Sequence, residues 1–399
     1  MLAIVTMGLL TYLAMEVMYD STVEYTVNSQ GLNRLKAYYA AKSGLEIGLL
    51  RVKVYQQVMK KMNPTQLGAM GDYVDEIWKF PFTWPLMLPD NLNAVEKEQA
   101  KDTVKDTFMD ASYALSITDE GSKLDLNDLV SKSKTLQDTA SRRLLEIFER
   151  KQRDDEEWRR KYGGTRFEDL VNAIADWMSD KNSGRGGNDK RSGYNDLNRE
   201  SPNSYPPNRG FRTVQELRLV SGMNDDFFDL LAPQVTIYGM RGVNPNVASK
   251  DVLMSLDRGI TSEVADELIQ RRSDPKLGGP YKSPDDFWSY ANQKGARLEA
   301  ADSERPPITT DPLTTFRIKS TGEYGGATRE IEVIVADFDR ISTNIKQFID
   351  KDNPKETPPG GGTPPPGGGG GGLGTTTTTT TNSTIPSKGP PRIVYWTER

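Results

Sequence analysis

Apolar residues fill positions 1–19 almost without interruption, MLAIVTMGLLTYLAMEVMY, with Glu16 as the one charge. Roughly 20 such residues suffice to cross a bilayer as a helix. Beyond Tyr19 apolar positions recur at helical spacing through Leu32, Leu35, Tyr39, Leu45, Leu49 and Val52, and no proline occurs before Pro64. The pattern predicts one helix from residue 1 to about residue 60, roughly 90 Å long. Its first third is apolar all round and the rest is amphipathic. A cleaved signal peptide would show a basic n-region and an A-x-A-like site after a shorter core, and neither is visible. No Lys or Arg precedes the segment, so charge bias cannot orient it from that side. The expectation is a chain that begins inside its own hydrophobic region, with a basic leader ahead of it.

Past the stem, residues 61–110 read as a Pro- and Trp-containing connection with a helix in 94–109. Tyr113–Ile117 alternates, and Lys123–Leu126 alternates after the turn signal Asp119-Glu-Gly121, which predicts a β-hairpin or bent strand pair. From 132 to about 300 the pattern is helical, with a charged amphipathic helix over Thr139–Tyr162 and another over Phe167–Met178. Ser179–Arg212 lacks periodicity and is rich in Gly, Asn, Asp and Pro, so it reads as a long loop. Strand patterning returns at Thr315–Lys319 and Glu330–Val335, a hairpin across the turn Gly322–Gly326. Residues 351–391 are Pro/Gly runs followed by Thr375–Thr381, a composition unable to bury enough apolar surface to order itself. Arg392–Thr397 reads as a terminal strand that adds to the sheet of the 315–335 hairpin, since closing a long loop costs little more than closing a short one.

Strands on both sides of a helical block imply an all-helical insertion in an α/β parent. The expected organisation is a stem at 1–60, the first part of the parent domain at 61–130 and the insertion at 131–305. The parent's closing strands fall at 306–350 and 392–399, with a disordered loop at 351–391.

Composition narrows the chemistry. The 399 residues include neither cysteine nor histidine. That removes Ser-His-Asp and Cys-His nucleophiles, zinc helices, thiolate metal sites and disulfides. Any metal would be hard and oxygen-ligated. Lys+Arg 51 against Asp+Glu 56 gives a net charge of −5, which argues against an all-basic nucleic-acid surface but leaves a local patch open. No carboxylate pair stands out as a general acid/base couple, and the charges at Lys151–Glu157 read as a solvated helix face.

Two segments carry candidate sites. Asp176-Trp-Met-Ser-Asp180, Asn182, Gly187-Asn-Asp189 and Asn195-Asp196 concentrate oxygen side chains, either as a solvated loop or as a calcium site. Ala248–Leu256, Asp257–Thr261, Val264–Ile269 and Gly279–Phe287 are similar to helix-hairpin-helix repeats. In those repeats backbone amides of a Gly-x-Gly hairpin approach a phosphate, but here Thr261 replaces the second glycine. Residues 213–236 look like a degenerate earlier copy. The two readings are a structural helical module and a DNA contact.

The layout resembles the minor pseudopilin K family of the type II secretion pathway. The resemblance is carried by Tyr19–Thr22 and Leu35–Leu45 in the stem, by DEGSKLDLNDL at Asp119–Leu129 and by Ala175-Asp-Trp177. Thr213–Val220 with Leu231–Thr236, Val243–Ser249 and Val394–Glu398 complete the order. It implies an α+β pilin-like fold, a long N-terminal helix plus an antiparallel sheet, with a large all-α insertion containing helix-hairpin-helix or SAM-like modules. It implies a structural calcium held by Asp176, Asp180, Asn188 and Asp189, although Ser179 stands where an acid is usual and Asn188 replaces a Glu. The basic residue and glycine of a prepilin-peptidase site are not seen before Met1.

The implied function is non-enzymatic: a subunit at the tip of the pseudopilus, anchored once in the inner membrane with its globular part in the periplasm. Its partners would be minor pseudopilins I and J, the major pseudopilin and the prepilin peptidase, with a methylated N-terminus and no nucleic acid. Leu32, Leu35, Tyr39, Leu45, Leu49 and Val52 are the expected partner face, by helix-in-groove packing. Assembling pilins carry a glutamate as fifth mature residue, whereas Met1–Met15 holds no acid. Glu16 reads as an interfacial carboxylate near the periplasmic end. The missing acid and the bulky insertion both suit a tip. The alternatives are a minor pilin of a type IV pilus and a membrane-tethered helix-hairpin-helix DNA-binding protein.

Overall fold

The computed structural model describes residues 2–61, 74, 77–85, 110–187, 189–200, 204–239, 242–301, 305–310, 313–337 and 392–399. The helix expected at 94–109 and the loop at 351–391 lie outside them. The chain divides into two compact units, one of stem and sheet, the other within Lys123–Thr310.

In the first unit α1 runs Leu2–Lys61 as one helix. Its early threonines are accommodated by back-bonding: Thr6, Thr11, Thr22 and Thr26 each donate to a carbonyl three or four residues earlier, which removes a free hydroxyl from an apolar surface. The sheet contains β1 (Phe82–Trp84), β2 (Ser112–Asp119), β5 (Thr315–Tyr324), β6 (Ala327–Ala336) and β7 (Arg392–Glu398), in the order β1-β2-β5-β6-β7 with every pairing antiparallel. The expected closing strand thus lies beside β6. The β5–β6 turn is tighter than the 322–326 reading: Tyr324 pairs with Ala327 across Gly325 and Gly326, whose φ of 54° and 79° are the left-handed values a two-residue hairpin needs.

One side of the sheet is buried by α1. Tyr113, Leu115 and Ile117 of β2, Phe316, Ile318 and Ser320 of β5, and Ile331, Val333 and Val335 of β6 are all buried, the period-two pattern of a half-covered sheet. The helix meets them with a stripe of small residues, Ala37, Ala40, Ala41, Gly44 and Gly48, followed by Val52 and Tyr55. The approach is close enough to exclude a methyl group. A Cβ on Gly322 of β5 would stand 2.1 Å from the Ala37 carbonyl oxygen and 2.4 Å from the Ala41 nitrogen. Lower down, Tyr55, Trp78 and Phe316 form an edge-to-face triangle, and Arg51 donates to the carbonyls of Ile77 and Phe80 at 2.7 and 2.6 Å.

The sheet also holds a charged group with no access to water. Glu120, fully buried, accepts two hydrogen bonds from Arg317 at 2.8 and 2.9 Å, and Arg317 also pairs with Glu332 across the hairpin. Burial would lower the Arg317 pKa, but the Glu120 hydrogen bonds and the charges of Glu120 and Glu332 outweigh it and hold the guanidinium above its ordinary value.

Several expectations are corrected. Residues 113–126 are not a hairpin. β2 pairs with β1 and β5, whereas β3 (Leu124–Asp125) pairs in parallel with β4 (Val235–Thr236) in the second unit. The Asp119 carboxylate takes the amides of Gly121 and Ser122 at 3.1 and 2.9 Å, a turn that leads the chain out of the sheet and not back along β2. β1 was hidden because Phe-Thr-Trp is too short to show alternation. The helix expected at Thr139–Tyr162 is two, α2 (Lys134–Asp154) and α3 (Glu156–Tyr162), because Asp155 adopts an extended conformation and caps α3 through the Trp158 amide. Within the expected loop Ser179–Arg212 lie a 3₁₀ turn at Lys190–Tyr194 and α5 (Asn195–Glu200).

Among the described residues the second unit holds two hydrophobic clusters. The first gathers α2, α3, α4 (Phe167–Met178), α6 (Asp225–Leu231) and the β3–β4 pair around Trp177, whose ring stacks on Phe211 at 5.6 Å, and around the Phe148–Phe167–Phe227 group. The second gathers α7 (Lys250–Met254), α8 (Ser262–Ser273) and α9 (Pro284–Gln293) around Leu253, Leu268 and Phe287. Arg143 and Arg150 of α2 donate to the Ser255 hydroxyl and the Met254 carbonyl, tying the clusters together.

Two substitutions test this packing. Gly322→Ala should push α1 off the sheet and lower stability by about 1–3 kcal/mol, seen as a reduced melting temperature of the detergent-solubilised chain. Arg317→Met removes the guanidinium from the buried Glu120 carboxylate and should cost roughly 3–5 kcal/mol in the same measurement.

Candidate functional site

The stem has two faces with opposite fates. Of the six residues expected to meet a partner, Leu32, Leu35 and Tyr39 are 54%, 51% and 57% exposed, so they form a free apolar face. Leu45 and Val52 are not part of it. Both are fully buried against the chain's own sheet, because the stripe of small residues beside them brings α1 into contact with β2, β5 and β6. Leu49 is half-buried at the edge of that contact. Helical periodicity alone could not separate the two faces, since both are apolar. The separating signal was the run of Ala and Gly at 37, 40, 41, 44 and 48, which marks the side where a backbone must come close. Residues 2–27 expose every large apolar side chain they carry. By length and composition α1 can cross a membrane, and Glu16 is exposed on it.

The oxygen-rich loop follows α4. The Asp176 carboxylate accepts the Arg185 amide through both oxygens, at 3.0 and 3.1 Å, folding the loop back on the helix end. A bridge between Ser183 and Asp189 closes it, and the Asp189 carboxylate caps the next 3₁₀ turn through the Arg191 amide at 3.0 Å. Asp180 is exposed, and Asn188 lies outside the described residues. Lys190, buried at the start of that turn, sends its ammonium into the loop to donate to the Ser179 carbonyl at 2.7 Å and the Asp176 carbonyl at 3.3 Å. Burial lowers its pKa, while the charges of Asp176 and Asp180 act in the opposite direction.

This arrangement does not match what calcium requires, six to eight converging oxygens. Two of the loop's carbonyls, those of Asp176 and Ser179, point at the Lys190 ammonium. Among the described residues, no three carboxylates converge as a metal site would need. Lys190 carried no signal in the spacing of acids, because a lysine among charged residues reads as surface.

The hairpin between α7 and α8 is likewise committed internally. The Asp257 carboxylate accepts the amides of Gly259, Glu299 and Ala300 at 2.8, 3.1 and 3.1 Å. A Cβ on Gly259 would stand 2.1 Å from the Arg297 carbonyl oxygen. The amide that would face a phosphate in a DNA-binding hairpin is taken by a carboxylate, and the glycine serves close packing.

Residues 122–240 match one model of protein K of the type II secretion system, and residues 243–308 match a second model of the same protein. The two matches coincide with the two hydrophobic clusters of the second unit. A solved structure, the GspK-GspI-GspJ complex of the type 2 secretion system of enterotoxigenic Escherichia coli, is similar at 16% identity and a TM-score of 0.48, over 78% of this chain and 94% of that one. No curated protein matches the chain.

The two stem faces predict different costs. Leu45→Ala should destabilise the chain by about 2–5 kcal/mol, as for a core leucine. Leu35→Ala should change stability by less than about 0.5 kcal/mol. Thermal unfolding of the two variants in one detergent reads the difference directly.

Proposed function

We propose that this chain, which belongs to the type II secretion system protein K family through residues 122–240 and 243–308, is a non-enzymatic minor pseudopilin. It stands at the tip of the pseudopilus and starts or caps its assembly for protein export. α1 crosses the inner membrane once and the globular part stands in the periplasm. Minor pseudopilins I and J are the partners, joined to it stem against stem.

The observation that carries this reading is the division of labour along α1. From Ala37 onward one face is held by the sheet, so the helix is a rigid extension of a folded head. Before it, Leu2–Val27 projects with its apolar side chains uncovered, and Leu32, Leu35 and Tyr39 continue an apolar strip beside the head. An exposed apolar surface of this extent needs lipid or another helix to cover it. Each leucine or aromatic ring so covered contributes about 1.5–3 kcal/mol. A pseudopilus stem meets both requirements, first in the bilayer and then in a bundle of stems. The committed hairpin amide of Gly259 favours a structural role for the helical unit.

Co-expression with the minor pseudopilins I and J of the same genome tests the assembly. Full-length chain purified in detergent should bring both along. The double variant Leu35→Asp with Tyr39→Asp should lose them while keeping the parental melting temperature. Recovery of the parental chain alone, with both candidates expressed, overturns the reading.

A further inference from the structure

The loop that follows α4 has its own cation. α4 ends at Met178 with Ser179 as its C-cap, and the last carbonyls of a helix are both unsatisfied and at the negative end of its dipole. Those of Asp176 and Ser179 point to one place, with the acidic side chains of Asp176 and Asp180 nearby. Such a spot calls for positive charge. The chain supplies it from eleven residues beyond Ser179: Lys190 is buried, with 8% of its surface exposed, and its ammonium reaches both carbonyls. The rest of the loop is closed by the Arg185 amide donating to the Asp176 carboxylate, the Gly187 amide donating to the Gly184 carbonyl and the Ser183–Asp189 bridge. Arg185 adds a second strut, its guanidinium donating to the Leu129 carbonyl.

We propose that the Lys190 ammonium is the resident cation of the 176–190 loop, so that this chain orders the loop without calcium. A divalent ion placed on the same carbonyls would meet the ammonium at close range and would have to displace it. The loop is thereby independent of the calcium concentration outside the membrane. The inference holds whether or not the chain assembles at a tip.

Thermal unfolding of the full-length chain in detergent, in excess EGTA and again in excess calcium chloride, tests it. The expected result is one melting temperature in both. Lys190→Met, which keeps the aliphatic stem and deletes the charge, should melt lower than the parent in EGTA. A calcium-dependent rise in the parent's melting temperature overturns the proposal, and so does a Lys190→Met chain as stable as the parent in EGTA. Should that variant fail to fold, amide hydrogen exchange of residues 180–189 in the parent decides. Equal protection with EGTA and with calcium supports the lysine, and protection that appears only with calcium refutes it.

Discussion

The distance between α1 and its sheet is the constraint on which the first unit depends. A helix of 60 residues has little reason to keep one orientation on a flat sheet unless its backbone can come near enough for side chains to interlock. Ala37, Ala40, Ala41, Gly44 and Gly48 allow that approach from the helix, and Gly322 allows it from β5. Once the backbones are close, Tyr113, Leu115, Ile318 and Phe316 fill the space on either side and the helix cannot rotate. The free apolar strip of Leu32, Leu35 and Tyr39 then has a fixed direction with respect to the sheet. A partner that covers the strip therefore meets a preorganised surface, which lowers the ordering cost of association.

Three charged or polar centres are satisfied by the chain itself. Glu120 has Arg317 within the sheet. The Asp257 carboxylate takes three backbone amides, and the carbonyls at the end of α4 take Lys190. The last two stand where the sequence invites a ligand, a phosphate on the hairpin and a calcium in the acidic loop. In each case an internal side chain of the right charge occupies the position. This pattern suits a subunit whose helical unit is scaffolding, because a pre-satisfied polar centre rigidifies a fold without any exchangeable group.

The parts of this fold legible beforehand are those governed by local rules. The stem was readable from its length without proline and from its apolar run. The β5–β6 hairpin was readable from alternation around a Gly-rich turn, α4 from its strong periodicity, and β7 from its apolar and aromatic run after a structureless tract. The illegible parts depend on partners distant in sequence. β2 and β3 look like two arms of one hairpin because both alternate, yet one pairs with β5 about 200 residues away and the other with β4. The break at Asp155 was hidden because a cap residue within a charged helix differs from its neighbours only in backbone conformation.

What the amino-acid order determined by itself is the material: a helix long and apolar enough to cross a membrane, a sheet interrupted by a helical block, the exclusion of thiol and imidazole chemistry, and the order of the motifs. What only the tertiary structure decided is which apolar residues are free and which charges are spent. Leu35 and Leu45 are the same residue type on the same helix, and just one of them is covered, because the sheet that covers it is assembled from segments hundreds of residues apart. Asp176, Asp180 and Asp189 read as part of an oxygen-rich loop, and only folding brings the Lys190 ammonium onto the Asp176 and Ser179 carbonyls. Periodicity records the apolar and polar faces of an element, but not which neighbour arrives at each face.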